Sequence, residues 1–264
     1  MPRDEQNATV IGRRVFNDEL AEFRIRYNDH EVPEFKPGQY ATLGLPQTGD
    51  VPEGKKPKLI RRAYSVASPA NDREALAFYI VKVDDGALTP SLFDLEDGQK
   101  LFMSPRLGGH FTLDGVPDGQ DLVMVGTGTG LAPFRSMYLT YRDQPGRWNR
   151  FVLMEGCRLA RDLGYYEELR GYAEADPNFV YLPTVTREPE DSPWDGLRGR
   201  VNALLEPEGF EKHAGFVLAP ETAHVFLCGN PAMIDQVEAD LTGRGFVVQD
   251  RKHPDGTLHF ERYW

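Results

Sequence analysis

The sequence predicts a two-domain fold: an antiparallel β-barrel over residues 1–117, followed by an α/β domain with a parallel sheet over residues 118–264. The chain has 264 residues, more than one hydrophobic core usually organises. Its first half contains short apolar segments separated by turns, which is typical of a small barrel. Beyond residues 116–120, apolar runs alternate with helical patterns, as in a parallel sheet covered by helices. The domain boundary is therefore placed at this change of pattern.

The first domain is predicted to contain six short strands and one short helix. Turns at Pro37-Gly38 and Asp97-Gly98 precede the third and last of these strands. The helix is expected at residues 91–95, and the Pro-, Gly- and Lys-rich segment 46–58 is expected to be an exposed loop. The predicted strands cover residues 9–14, 22–27, 39–45, 62–67, 76–83 and 100–103.

The second domain is predicted to contain four buried strands, each an unbroken apolar run. Ligands bind at the carboxyl ends of the strands in such a sheet, so the turns that follow them are candidate binding sites. The predicted strands are residues 122–125, 151–154, 179–182 and 225–228, and the predicted helices are residues 131–142, 165–173, 201–205 and 231–243.

Composition and charge exclude several classes of protein. No segment approaches the roughly 20 apolar residues that span a bilayer, and the polar N-terminus lacks the core of a secretory signal, so we expect a cytoplasmic protein. The two cysteines, Cys157 and Cys228, can form neither a disulfide framework nor a four-thiolate iron–sulfur site, and no metal is expected. A net charge of −11 argues against general nucleic-acid binding. The sequence does not fix the oligomeric state, and a monomer is the simplest expectation.

The first candidate binding motif is Arg62-Ala63-Tyr64-Ser65, on a predicted barrel strand. Strand alternation places Arg62 and Tyr64 on one face and Ala63 and Ser65 on the other. A guanidinium suits a pyrophosphate, an aromatic ring can stack on a planar heterocycle, and a hydroxyl can bond a ring nitrogen. An ordinary strand with a surface arginine and a packed tyrosine fits the same four residues, so the motif alone leaves both interpretations open.

Two glycine-containing turns are further candidates. Gly126-Thr127-Gly128-Thr129-Gly130 follows a buried strand and opens a helix with Pro133 in its first turn, so its backbone could approach a dinucleotide pyrophosphate. It is not the G-x-G-x-x-G fingerprint, because Leu131 occupies the place of the last glycine. Gly86-Ala87-Leu88-Thr89, before the short helix, could offer N–H groups to a phosphate, although alone it is merely a turn.

In this order, and together with Cys228-Gly229-Asn230-Pro231, these motifs resemble those of the ferredoxin–NADP⁺ reductase family, and the resemblance covers nearly the whole chain. It is strongest to the bacterial type, which ends in an aromatic residue. It implies an FAD-binding barrel followed by an NADP(H)-binding α/β domain whose C-terminal tail returns to the flavin.

The resemblance assigns roles at the flavin. Arg62 would pair with the FAD pyrophosphate, Tyr64 would stack on the isoalloxazine, and Ser65 would face flavin N5. As catalytic residues it implies Ser65, Cys228 beside the reacting nicotinamide, and the carboxylate of Glu261. A lone cysteine at a strand end is otherwise usually a small buried hydrophobe. The other FAD-binding residues would be Ala63, Tyr79, Ala87, Leu88, Thr89, Thr129, Tyr263 and Trp264.

The nicotinamide nucleotide is predicted to be NADP(H), because a 2′-phosphate calls for arginines and these follow successive strands. Each arginine taken singly fits a solvated surface charge. The length of the segment 189–197 leaves Arg198 and Arg200 as alternatives for the 2′-phosphate. The NADP-binding residues implied are Gly128, Thr129, Gly130, Arg158, Thr186, Arg187, Arg200, Gly229, Asn230 and Pro231.

The function implied is hydride transfer between NADP(H) and FAD, and single-electron transfer between FAD and ferredoxin or flavodoxin. Small carriers are usually acidic, so docking must be local, and Lys55, Lys56, Lys58, Arg61 and Arg62 form the nearest basic group. Two alternatives stay open: an NAD(P)H-dependent reductase component serving an oxygenase or cytochrome, and a non-catalytic flavoprotein redox sensor. The first commonly carries an iron–sulfur domain, for which this chain lacks cysteines.

Overall fold

The computed structural model of the chain describes residues 6–48 and 57–262. The predictions for Lys55, Lys56, Tyr263 and Trp264 therefore lie outside the described residues. The chain divides into two compact units, one of residues up to Thr112 with Arg135–Thr140, and the other of Leu113–Phe134 with the chain from Tyr141 onward. Within the described ranges, no helix is long and apolar enough to cross a membrane.

The first unit is built on six antiparallel strands in the order β4-β3-β6-β1-β2-β5. Val66, just after β4, forms an antiparallel bridge with Phe78 of β5, and the Ala67 N–H donates to the Ala77 carbonyl at 2.8 Å. These bonds link the two outermost strands, so the predicted barrel is confirmed. The elements are β1 (Ala8–Asn17), β2 (Leu20–Tyr27), β3 (Tyr40–Pro46), β4 (Leu59–Ser65), β5 (Leu76–Val81), α1 (Thr89–Phe93) and β6 (Lys100–Met103).

The second unit is a six-stranded parallel sheet in the order β10-β9-β8-β7-β11-β12, with helices along the chain between its strands. The predicted α/β fold is confirmed. Its strands are β7 (Asp121–Thr127), β8 (Arg150–Cys157), β9 (Phe179–Val185), β10 (Leu197–Arg198), β11 (Ala223–Gly229) and β12 (Leu258–Arg262). Its helices are α2 (Leu131–Tyr141), of which residues 135–140 group with the first unit, α3 (Tyr166–Ala175), α4 (Pro207–Ala214) and α5 (Pro231–Gly243).

The strand order reverses direction at β7. From β7 the chain adds β8, β9 and β10 on one side, and it then returns to add β11 and β12 on the other. In an open α/β sheet, ligands bind outside the carboxyl ends of the strands that flank such a switch point. The residues that follow β7 and β11 therefore occupy the place where a ligand is expected.

The helix predicted at residues 201–205 is present, and it is a 3-10 helix. Its backbone becomes extended at Glu206, the residue before Pro207, where proline disfavours helical geometry in its predecessor. Pro207 then begins α4, which was not predicted and which ends at Gly215 in a left-handed conformation with φ of 79°. The Pro start and Gly end are ordinary helix signals.

Three smaller differences concern short elements. The helix predicted at residues 91–95 begins two residues earlier, with Pro90 in its first turn. Strand β10, which has only two residues, was not predicted. Strand β12 was not predicted either, because its polar residues do not form an apolar run. It pairs with β11 along its whole length.

Candidate functional site

The Arg62-Ala63-Tyr64-Ser65 motif lies on β4 of the first unit, as predicted. Arg62 and Ala63 are exposed, Tyr64 is half-buried and Ser65 is buried. The Arg62 charge opposes the elevation of the Tyr64 pKa, which fits their placement on one face of the strand. The motif therefore presents a cation and an aromatic ring together.

The hydroxyl of Tyr64 is the most informative atom of this half of the site. It is buried, and it has no hydrogen-bond partner among the residues that the structure describes. Burial raises the pKa of Tyr64 to about 12, so the group stays a neutral donor. A buried hydroxyl without a partner is costly, and a ligand with acceptor atoms would satisfy it.

Most of the other predicted flavin-binding residues of the first unit are less exposed than Arg62 and Ala63. Tyr79 on β5 is buried, and its ring lies edge-on to Phe16 with centroids 5.6 Å apart. Leu88 belongs to the barrel core, whereas Ala87 is exposed. The Thr89 hydroxyl closes the turn by bonding both the N–H and the carbonyl of Val83. Arg61, one of the predicted docking residues, lies over the Phe102 ring at 4.5 Å.

The glycine-rich turn of the second unit follows β7 directly. Residues Gly128–Gly130 form a single 3-10 turn that runs into α2. A Cβ atom on Gly130 would lie 2.3 Å from the Cys228 carbonyl oxygen, so only glycine allows this approach. The turn and the end of β11 are thereby held backbone to backbone at the switch point.

The Cys-Gly-Asn-Pro segment at the end of β11 is tied to the same turn. The Asn230 N–H donates to the Thr127 hydroxyl at 2.9 Å, and Gly229 has a φ of 122° that favours glycine. The Asn230 side chain accepts from the Ala232 N–H at 2.8 Å and so caps α5, which begins at Pro231. Thr127, which was not among the predicted site residues, is the link between the two segments.

Two of the three predicted catalytic residues lie on neighbouring strands. Cys228 of β11 pairs in register with Glu261 of β12 on one side and with Gly126 of β7 on the other. Cys228 is fully buried, and Glu261 is partly exposed. The third, Ser65, belongs to the first unit.

Arginines follow the strand ends on the other side of β7. The Arg187 N–H donates to the Arg158 carbonyl at 2.8 Å, and the Thr186 N–H donates to the Cys157 carbonyl at 3.1 Å. These bonds place Arg158 and Arg187 side by side, both exposed. Among the described residues, neither side chain has a hydrogen-bond or ion-pair partner, so both remain available to an anion.

The structure separates the two alternatives Arg198 and Arg200. The Arg198 guanidinium donates to the carbonyls of Glu188, Pro189 and Trp194, at 2.7, 3.1 and 3.3 Å, and so holds the segment 188–198 as a compact loop. The Arg200 side chain is exposed and has no such partner in the described parts of the chain. Arg198 therefore ties the loop together, and of the two alternatives Arg200 is the one whose guanidinium has no partner among the described residues.

Sequence reasoning missed a buried acid beneath this edge of the sheet. Glu155 on β8 has no exposed surface and accepts a short hydrogen bond from the Tyr181 hydroxyl. Burial raises the pKa of Glu155 to about 7. The signal was visible, because a glutamate within an apolar strand is unusual and demands a partner.

Fold and site together define a class: a two-unit oxidoreductase in which a barrel precedes a nucleotide-binding α/β sheet. An NAD-binding domain of oxidoreductases matches residues 124–239. Ferredoxin–NADP reductase A of Sorangium cellulosum is 35% identical over 262 residues, which are 95% of this chain and 87% of that protein. The flavodoxin/ferredoxin–NADP reductase of Escherichia coli is 32% identical over 88% of this chain and 89% of its own length.

A solved structure shows the same relationship. The ferredoxin NADP⁺ reductase of Neisseria gonorrhoeae, crystallised with bound FAD and NADP, superposes with a TM-score of 0.82 and 26% identity, covering 97% of this chain and 98% of that one. The chain belongs to the ferredoxin–NADP⁺ reductase family.

Proposed function

We propose that this protein is a cytoplasmic FAD-dependent reductase that transfers a hydride between NADP(H) and FAD, and single electrons between FAD and ferredoxin or flavodoxin. One observation carries the proposal. The glycine-rich turn, Cys228 and Glu261 lie on three adjacent strands at the switch point of the parallel sheet. The relatives' names, and the FAD and NADP bound in the Neisseria protein, support the same chemistry.

The residues of the first unit would hold the flavin. Arg62 offers an exposed guanidinium to the pyrophosphate, and Tyr64 offers its ring and its unpartnered hydroxyl. Ser65 would face the reacting edge of the flavin. Ala63, Tyr79 and the turn 87–89 would complete this half of the site, together with Thr129 and the terminal Tyr263 and Trp264. FAD, when bound, can take up an electron pair as hydride and release electrons one at a time.

The residues of the second unit would orient the nicotinamide nucleotide. The backbone of Gly128, Thr129 and Gly130 would accommodate the pyrophosphate, and the fixed ends of β7 and β11 would hold the nicotinamide by Cys228 and Gly229. Glu261, in register with Cys228, would act on a proton at the same place. The remaining members of this binding set would be Asn230 and Pro231 at the start of α5.

The 2′-phosphate would be recognised by Arg158, Thr186, Arg187 and Arg200. Three exposed guanidinium groups that lack an ion-pair partner within the described residues provide the charge that distinguishes NADP(H) from NAD(H). Glu188, the acidic residue next to Arg187, is engaged elsewhere, because its carboxylate accepts from the Ala160 N–H at 2.7 Å.

Anaerobic reduction of the purified yellow protein tests this function. We expect NADPH to bleach the flavin far faster than NADH, and the reduced protein to pass electrons to added ferredoxin or flavodoxin. Arg200→Gln should raise the KM for NADPH by about 10- to 100-fold, the value of one charge-assisted hydrogen bond, and leave that for NADH nearly unchanged.

Arg198→Gln is the matched comparison. It should reduce thermal stability by loosening the loop that it ties together, and it should affect NADPH and NADH alike. Equal reduction of the wild-type protein by NADH and NADPH would remove the case for the three arginines. The absence of NADPH turnover with any acceptor would instead favour a redox sensor.

A further inference from the structure

Buried contacts connect Glu155 with the glycine-rich turn. Glu155 lies on β8, between Gly126 of β7 and Pro183 of β9. Its carboxyl accepts from the Tyr181 hydroxyl on one side, and the Cys157 thiol lies 3.9 Å from Oε1 on the other. Glu155 also pairs in register with Gly126, the first residue of the turn, and the backbone of Gly128 lies near enough to the Cys157 sulfur to lower its pKa. A charge on Glu155 is therefore only two contacts away from the turn.

Glu155 lacks a compensating positive charge in the described part of the chain. Among the residues that the structure describes, no arginine, lysine or histidine forms an ion pair with Glu155, and its hydrogen-bond partners are both neutral. The titratable groups facing the cluster are Tyr181 of β9, Cys157 of β8, Asp162 of the following 3-10 turn, and Tyr166 of α3, which packs on Tyr181.

We propose that Glu155 takes up a proton when a nicotinamide dinucleotide binds at the turn 126–130, so that nucleotide affinity depends on the protonation of this buried carboxyl. The inference rests on the proposed function, since it requires that a dinucleotide pyrophosphate lie at this turn. Glu155 is a positioning residue here, because it acts through Cys157 and Gly128 and does not touch the reacting atoms.

The physical reason is repulsion between like charges in a poorly screened place. An ionised Glu155 puts a negative charge beneath the turn that receives a doubly charged pyrophosphate, and the interior screens such pairs far less than water does. The nucleotide therefore binds the neutral acid more tightly. With a pKa near 7, the free protein holds a mixture of both forms at neutral pH. Binding draws this mixture toward the protonated form by linkage.

Calorimetric titration of the holoprotein with NADP⁺ tests the inference, performed between pH 6.5 and 8.5 in two buffers of different ionisation enthalpy. The wild-type protein should take up a fraction of a proton, and its Kd should rise with pH by at most about tenfold per pH unit. Glu155→Gln, which resembles the neutral acid, should retain only the pH dependence of the ligand's own 2′-phosphate.

Tyr181→Phe provides a second variant. It removes a hydrogen bond that favours the ionised carboxyl, so the midpoint of the pH dependence should move to higher pH. Tyr172→Phe is the control, because its hydroxyl donates to Glu168 on the same helix, and it should behave as wild type.

Four outcomes would overturn the inference. Glu155→Gln with the proton uptake of wild type would show that another group titrates. If Glu155→Gln changed the Kd by the same factor at every pH, Glu155 would have a structural role only. The same conclusion would follow if the midpoint of the pH dependence did not move in Tyr181→Phe. Failure of the wild-type protein to bind NADP⁺ at any pH would instead refute the proposed function, and the inference with it.

Discussion

At the scale of single residues, the sharpest constraint lies at Gly130. A Cβ atom there would stand 2.3 Å from the Cys228 oxygen and 2.7 Å from its carbonyl carbon. Both are backbone atoms of a buried central strand, which cannot move aside as a flexible side chain can. The last glycine of the turn is thus required for packing against β11.

Gly130→Ala should therefore lower the free energy of unfolding by about 1–3 kcal/mol, the usual cost of overpacking, and weaken NADP⁺ binding. Urea unfolding and a binding titration measure the two effects. Gly171→Ala is the matched control, because this glycine lies inside α3 with open space around its Cα and a φ outside the left-handed region. It should stabilise the protein by about 0.5–1 kcal/mol. Unaltered stability in Gly130→Ala would show that the strand end can yield.

Residue-level prediction from sequence succeeded where a residue's chemistry is local. The Arg62 and Tyr64 pairing on one face follows from strand alternation alone. The choice between Arg198 and Arg200 could not be made from the sequence, because it depends on which guanidinium donates hydrogen bonds to the loop carbonyls. Glu155 was missed for a similar reason: its environment is made by Tyr181, which is 26 residues away in sequence.

At the scale of elements, β12 shows how a polar strand is held. His259 Nδ1 lies 3.0 Å from the Gln249 side-chain carbonyl, which can only accept, so Nδ1 carries the hydrogen. His259 Nε2 then accepts from His224 Nδ1 of β11, also at 3.0 Å, and the His259 ring stacks on Phe226. The bond between the rings requires a neutral His259, because a protonated Nε2 could not accept. It fastens the strand that carries Glu261.

Acid should loosen this strand. Burial, with a smaller effect of His224, lowers the pKa of His259 to about 3. Burial and the nearby Arg147 charge also lower the pKa of His224. Both folded-state pKa values lie below the unfolded value of about 6.5, so the stabilisation is complete above pH 6.5 and is lost as pH falls toward 3. Hydrogen exchange in β12 should therefore rise as pH is lowered from 6.5, after correction for the intrinsic rate.

His259→Gln should flatten that acid dependence, since it removes the titrating ring. His213→Asn, which changes a histidine in the last turn of α4, should leave it as in wild type. An equal acid response in both variants would assign the effect to other groups.

The apolar strands β7, β8, β9 and β11 were predictable from their apolar runs alone. Strand β12 was not, because it forms through its pairing with β11.

At the scale of the whole molecule, a net charge of −11 affects the encounter with the proposed acidic electron carrier. The long-range field is repulsive, and attraction must come from a local group such as Lys58 and Arg62. Salt screens the repulsion over a Debye length of about 10 Å at 0.1 M. The rate of carrier reduction should thus increase when ionic strength is raised from about 10 to 100 mM.

Stopped-flow reduction of ferredoxin or flavodoxin at several salt concentrations measures this dependence. A neutral dye serves as the comparison, because its encounter with the protein is insensitive to the field, and its reduction should not change. A carrier rate that only falls with added salt would mean that local attraction dominates the encounter at all distances.

The bond between the Arg187 N–H and the Arg158 carbonyl has a consequence for how this family can diversify. It is made by the main chain, so it survives any exchange of the two side chains except one to proline at position 187. In the proposed 2′-phosphate site, coenzyme preference would therefore be set by side chains that a main-chain bond holds in place. Substitutions at these positions, by selection or by design, would then change the preference for one dinucleotide over the other without changing the sheet that carries the site.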